Sequence, residues 1–386
     1  MRVDHELVER VRTSLTATPN GPTASQVAAA LRAEGTVLGD AAVLDVTARL
    51  RAEISGAGPL ETLLREPGVT DVLVNGPGDV WVDRGDGLER VPLELGDEAD
   101  VRRLAQRLAA SASRRLDDAM PYVDARLADG VRLHAVLPPI SPHGTVISLR
   151  VPAGHVFSLN ELVAAGSVGP ELAAWLQAIV RSRLAFLVSG GTGTGKTTVL
   201  GALLSLADPA ERVVLVEDSG ELRPALPHVV RLEARPPNVE GAGRVGLDEL
   251  VRQALRMRPD RLVVGEVRGR EVVDLLSALN TGHEGGCGTL HANSAADVPA
   301  RLEALGVAAG LGRDAVHAQV AAGIDVVVHL ARDRSGRRRI GEIGVVERTE
   351  SGWVIVVPAV RSPAPGEFAE AGAADRLRSR VGLEAT

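Results

Sequence analysis

Near the start of the chain, "DHELVERVRTSL", "TASQVAAALRAEG" and "DAAVLDVTARLRAEISGAG" space their apolar residues three and four apart. That period marks helices with one apolar stripe and predicts a helical N-terminal extension over residues 1–56. From about Pro59 the period shortens. "VTDVLVNGPGDVWVDRGDGLERVPLEL" breaks short β-branched runs with Asn-Gly, Pro-Gly and Gly-Asp, which predicts strands joined as hairpins. A helix is expected in "DEADVRRLAQRLAASASRRL", followed by strands in "VDARLADGVRLHAVLPPI" and "TVISLRVP". Residues 57–155 therefore form a compact α+β domain, with "AGHVFSLNELVAAGSVG" as the linker that follows.

Beyond it the pattern alternates. Helix "PELAAWLQAIVRSR" leads to strand "LAFLVSG", helix "GKTTVLGALLSL" and strand "RVVLVED". Helix "LDELVRQALRM", strand "DRLVVGEV", helix "REVVDLLSALN" and strand "GTLHA" come next, and "IDVVVHLARD" with the hairpin "RIGEIGVVERTESGWVIVVPAV" closes the series. Alternation of this kind predicts an α/β domain over 156–361, a mainly parallel sheet with helices on both faces. The last segment, 362–386, is rich in Ala, Gly, Pro and Glu and reads as a flexible tail. No internal repeat is visible.

Composition narrows the functions open to such a chain. Hydrophobic residues make up 45% of it but aromatics only 2%, so the cores are built from Val, Leu, Ile and Ala. A net charge of −7 and seven aromatics weigh against a nucleic-acid footprint, which favours basic excess and stacking platforms. The single cysteine, Cys287, excludes an internal disulfide and fits a reducing compartment as a small buried residue. The charged N-terminus lacks the apolar core of a signal peptide, and no run approaches the ~18 residues that span a bilayer. A cytoplasmic location is expected, with any membrane contact made through partners.

Chemistry enters at Gly190-Gly191-Thr192-Gly193-Thr194-Gly195-Lys196-Thr197, which fits the G-x-x-x-x-G-K-[ST] phosphate loop between a strand and a helix. Four glycines let backbone N–H groups turn inward around phosphates, and the helix start adds positive potential. The Thr197 hydroxyl, with Thr198 beside it, suits Mg²⁺ and phosphate. Lys196 is the only lysine in the chain; the other 42 basic residues are arginine. An ammonium is a compact charge, whereas a guanidinium is a wide fork, so the exception marks a place where arginine does not fit.

Three further segments carry candidate groups. "DRLVVGEVRG" is an apolar strand ending at Glu266, a carboxylate placed beside the phosphate-loop strand for metal and water. "VLVEDSGELRP" ends another strand with Glu217, Asp218 and Glu221. "TGHEGGCGTLHANS" holds His283 and His291 at a spacing that is not that of a zinc site.

In order and spacing these four motifs resemble the secretion ATPase superfamily, the motors of type II and type IV secretion and of type IV pili. The resemblance covers roughly residues 57–360. "RLEARPPNVEGAG" is most similar to the branch that assembles tight-adherence (Tad, or Flp) pili, the CpaF-type, conjugal-transfer-associated ATPases. It implies a RecA-like ATPase domain behind a PAS-like N-terminal domain, a homohexamer, ATP and Mg²⁺ as cofactors, and inner-membrane platform proteins as partners. It implies that Glu221 orients or deprotonates the attacking water, with Glu217 as the fallback, and that Glu266 holds Mg²⁺ through water. His291 and His283 form the histidine box, with His291 as the sensor of the γ-phosphate. Arg132 and Arg150, with Arg126 weaker, match arginines that reach the nucleotide. Two departures stand out: Gly288 replaces a hydroxyl residue before Thr289, and Cys287 replaces an aliphatic one. Two other classes fit a phosphate loop, a nucleic-acid translocase or helicase and a non-hydrolysing nucleotide-binding scaffold. The lack of an L-S-G-G-Q-type signature weighs against an ABC transporter subunit.

Overall fold

The computed structural model describes residues 24–33 and 56–383, apart from 86, 153–155, 238–240, 333–335, 363, 365 and 366. Of the three helices expected before residue 56, the middle one is present as α1, Ala24–Ala33, with Val27 and Leu31 buried one turn apart. The other two lie essentially outside the described residues. The chain divides into two compact units, Met1–Ala153 and Gly154–Thr386.

The first unit holds six antiparallel strands: β1 Asp71–Val74, β2 Val80–Asp83, β3 Leu88–Val91, β4 Tyr122–Arg126, β5 Arg132–Val136 and β6 Val146–Arg150. Their order is β3-β2-β1-β6-β5-β4. Burial alternates along β1, β2, β5 and β6, as expected of a sheet with one covered face. A one-turn helix, α2 Glu61–Leu64, precedes the sheet, and α3 Glu98–Ser111 covers it with Val101, Leu104 and Leu108. Asp97 starts α3 through a capping box with Asp100, each side chain taking the other's backbone N–H.

The second unit opens on α4, Leu159–Ala164, where the sequence reading placed only a linker. Ser158 and Glu161 form its capping box, and Leu159 and Leu162 enter the core, so six residues suffice for a stable turn and a half. The helices α5 Pro170–Arg181, α6 Lys196–Leu204, α7 Leu247–Ala254, α8 Glu271–Leu279, α9 Val298–Ala308, α10 Arg313–Gly323 and α11 Ala374–Val381 flank a nine-stranded sheet. Its strands are β7 Phe186–Gly190, β8 Val213–Glu217, β9 Val229–Glu233, β10 Arg261–Val267, β11 Cys287–His291, β12 Val326–Arg332, β13 Arg338–Arg348, β14 Val354–Arg361 and β15 Ala369–Glu370.

Strand order is β15-β14-β13-β12-β7-β11-β10-β8-β9. The six from β12 to β9 run parallel; β13, β14 and β15 form an antiparallel edge. β7 and β8 are buried at every position because helices cover both faces. One core layer packs α4, α5, α6 and α11 on the sheet, and the opposite layer packs α7, α8, α9 and α10.

The segment read as a flexible tail instead ends in α11. Ala374, Leu377 and Val381 make a stripe that enters the core, and Arg378 stacks 5.4 Å from the Trp175 ring centroid. β10 does not lie beside β7 either, since β11 is interposed. Among the described residues no helix is long and apolar enough to cross a membrane.

Candidate nucleotide site

In open parallel sheets, ligands meet the carboxyl ends of the strands, where a loop and the following helix start present free N–H groups. Here the central strand β7 delivers Gly190 to that edge, and α6 begins at Lys196 with Gly195 as its N-cap. Thr194 folds inward, its hydroxyl donating to the Gly191 carbonyl at 2.9 Å. Thr192 and Gly193 are exposed at the loop tip, and Thr197 and Thr198 are half-buried in the first turn of α6.

Lys196 is 7% exposed. Its Nζ donates to the carbonyls of Gly190 at 3.1 Å and Gly191 at 2.9 Å, and it lies 3.3 Å from His291 Nδ1. An ammonium has only donors, so Nδ1 must accept and the ring proton sits on Nε2. That nitrogen is 2.6 Å from Glu266 Oε1, while Arg268 binds Glu266 Oε2. Lys196, His291, Glu266 and Arg268 thus stand in successive close contact across three motifs. Burial, then the Lys196 charge, holds His291 below its ordinary value of 6.5, in keeping with the neutral ring. Burial also lowers the Lys196 ammonium. The interposed strand β11 makes this possible, because it sets His291 opposite Gly190. Thr289 fastens the same strand to β10, its buried hydroxyl donating to the Gly265 carbonyl at 2.7 Å.

The acids at the end of β8 divide into two kinds. Glu217 is 4% exposed, and burial raises its carboxyl above the ordinary range. Its Oε1 accepts the backbone N–H groups of Glu221 and Leu222, both at 3.0 Å, while Oε2 is buried without a partner. Glu217 therefore fixes the turn that carries Glu221, and Glu221 itself is exposed. Arg268 feels the charges of both Asp218 and Glu221, which brings the acidic turn to the Glu266 side of the site. Gly265 makes room for this packing: a Cβ there would stand 2.7 Å from Glu217 Cγ. Gly265→Ala should therefore lower unfolding stability by about 1–3 kcal/mol through overpacking, read from denaturant melts.

Other residues singled out in the sequence are held within their own units. His283 Nδ1 is 3.1 Å from the Ala278 carbonyl, so it finishes α8 and is not brought to Lys196. Cys287 is fully buried and its thiol is pushed up to about 12, as an inert core residue. Arg126, Arg132 and Arg150 stand in one row across β4, β5 and β6 of the first unit, with Arg150 Nε 3.0 Å from Asp71 Oδ1 in the same row. Sequence reasoning missed Arg268, Thr289 and Arg332, whose Nη2 donates to the Gly193 carbonyl at 2.7 Å. Arg268 and Thr289 had only their place inside quoted motifs as a signal, and Arg332, in the strand "IDVVVHLARD", had none.

The imidazoles give the site a pH signature. Burial lowers both His291 and His329, so below about 6.5 the unfolded chain binds protons that the folded chain resists. Stability is then lost as pH falls through that range. Glu217, raised by burial, acts in the opposite direction. Thermal melts from pH 7.5 to about 5.5 should show a falling midpoint, with a smaller fall in His291→Gln than in the parent chain.

Comparison with known proteins fits these motifs. A Mycobacterium tuberculosis protein named for conjugal transfer is 55% identical over 351 residues, covering 89% of this chain and 99% of its own. The type IV secretion system protein PtlH of Bordetella pertussis is 33% identical over 313 residues, 74% of this chain and 92% of that one. Among solved structures, the pilus retraction motor PilT with bound ADP shares the fold, with a TM-score of 0.52 at 18% identity over 83% of this chain and 84% of that one. The Legionella pneumophila ATPase DotB does so as well, at 0.53 and 19% over 73% and 78%. The family model described as "Type II/IV secretion system protein" matches residues 53–355, and the chain belongs to that family.

Proposed function

We propose that the chain is a Mg²⁺-dependent ATPase that works as a homohexamer at the cytoplasmic face of the inner membrane. Its turnover powers assembly of a Tad/Flp-type pilus or protein secretion, through membrane platform proteins. The observation that carries this reading is the meeting of Lys196, His291 and Glu266 at the mouth of the phosphate loop. A scaffold that only binds nucleotide has no need for a histidine wired to both the phosphate lysine and a strand-end acid.

The residues fit the cofactors. The loop from Gly190 to Thr198, with amides at the start of α6, offers a triphosphate donors and one buried ammonium. A magnesium ion on a triphosphate draws its oxygen ligands largely from phosphate and water, so the Thr197 hydroxyl and the Glu266 carboxylate, the latter through water, suffice. When bound, it neutralises phosphate charge. Lys196 shares that task, His291 registers the γ-phosphate through Lys196 and Glu266, and Glu221 orients or deprotonates the attacking water. Glu217 holds the Glu221 turn. Arg132 and Arg150 enter as charge-stabilising groups, on the family resemblance.

Phosphate release from Mg-ATP by the purified chain tests the reading. Turnover above background that is abolished by EDTA supports it. Absence of turnover in an assembled ring favours the scaffold. A strong stimulation by DNA or RNA at physiological salt favours a nucleic-acid translocase.

A further inference from the structure

β12 runs alongside β7, and three of its last four residues address the phosphate loop in turn. Register sets His329 opposite Ser189 and Leu330 opposite Gly190. Ser189 Oγ and His329 Nδ1 are 2.9 Å apart and both residues are buried. A Cβ on Gly190 would stand 2.7 Å from the Leu330 carbonyl oxygen, so the first loop glycine lies directly on β12. Arg332 then reaches Gly193. The backbone of Asn293, two residues beyond His291, lies close enough to act on the His329 imidazole.

A buried hydroxyl–imidazole pair is costly unless both partners are satisfied. The neighbouring positions Leu187, Val188, Val327 and Val328 are apolar and fully buried, so the polar pair stands at the one register next to the loop. With the Ser189 O–H as donor, Nδ1 accepts and the ring proton sits on Nε2. A neutral ring with one donor and one acceptor is what such a bridge requires. The charges facing it are Glu342, opposite it on β13, and Asp297; Glu342 is itself paired with Arg361 at 3.2 Å. A register shift on the β13 side, between His329 and Leu330, re-aims the strand at this point.

We propose that His329 is a positioning residue for hydrolysis, tying the residue before the phosphate loop to the segment after the histidine-box strand. It keeps Lys196 and His291 at a fixed separation while nucleotide enters and leaves. The proposal rests on the hydrolytic reading above. An apolar side chain would fill the same space and couple nothing.

The test compares the full chain with His329→Leu, His329→Gln and Ser189→Ala, by Mg-ATP turnover, binding of a fluorescent ATP analogue, and thermal melting. Misplacing a reacting group by about 1 Å costs about 10²-fold, so His329→Leu should lose about that in kcat while nucleotide affinity stays within about threefold. His329→Gln keeps a donor and an acceptor and should stay within about fivefold of the parent; Ser189→Ala should lose about tenfold, and nothing more when added to His329→Leu. Parental turnover in a folded His329→Leu, or equal losses in the Leu and Gln variants, overturns the proposal. If His329→Leu does not fold, Ser189→Ala decides: unchanged kcat overturns it. A parent chain without turnover overturns the hydrolytic reading and this proposal together, whereas active parent with indifferent variants overturns this proposal alone.

Discussion

Lys196→Ala is expected to lower kcat/KM for ATP by about 10³-fold, the scale of losing one preorganised donor at a developing charge. Lys196→Arg should lose about 10²-fold and not rescue. The reason lies in how the ammonium is housed. Its Nζ is held by the Gly190 and Gly191 carbonyls and by His291 Nδ1, all within 3.3 Å, in a side chain that is 7% exposed. Three donors on a tetrahedral nitrogen meet three acceptors arriving from different directions. A planar guanidinium presents five donors in one plane and is wider than the loop that would enclose it. An incoming phosphate would replace carbonyl contacts with stronger ionic ones at an ammonium already held in place by the loop. Equilibrium binding of Mg-ATP and steady-state turnover check the expectation. Full activity in Lys196→Arg would remove the argument drawn from this being the only lysine among 43 basic residues.

How much of this was legible beforehand depended on whether the signal was local. The phosphate loop is a contiguous spacing, and the apolar runs that open β7 (Phe186–Val188) and β8 (Val213–Val216) announce strands covered on both faces. α4 carried its own signal, Ser158 and Glu161 three apart, but lay in a stretch whose Gly and Ala content suggested a linker. α11 was hidden in the same way, since Ala374, Leu377 and Val381 form a stripe within a polar segment. Strand order is not encoded locally. That β11 separates β7 from β10, and so lets His291 touch both Lys196 and Glu266, emerges only when the crossovers are drawn. Arg268 was invisible for another reason: among 42 arginines, none stands out by composition. His329 sits in a strand that was read correctly, but a histidine there carries no message until Ser189 is seen beside it.

The two acids of the β8 turn lead to the second large effect. Glu221→Gln is expected to cut kcat by about 10³-fold with Mg-ATP affinity within about threefold, because general-base removal costs 10² to 10⁴-fold. Glu217→Gln should cost about tenfold. Its neighbour's amides explain the asymmetry. Glu217 Oε1 already accepts the N–H groups of Glu221 and Leu222, and a glutamine carbonyl can accept both again. Burial raises the carboxyl, so exchanging it for an uncharged amide costs less than at an exposed acid. Glu221 is exposed at the far end of that turn, where water can reach it, and its charge is felt by Arg268, the partner of Glu266. A base must face solvent; an anchor must not. Single-turnover measurements separate binding from chemistry. If Glu217→Gln abolished turnover while Glu221→Gln kept it, the unpartnered Oε2 of Glu217 would be the base and the Glu221 turn its support.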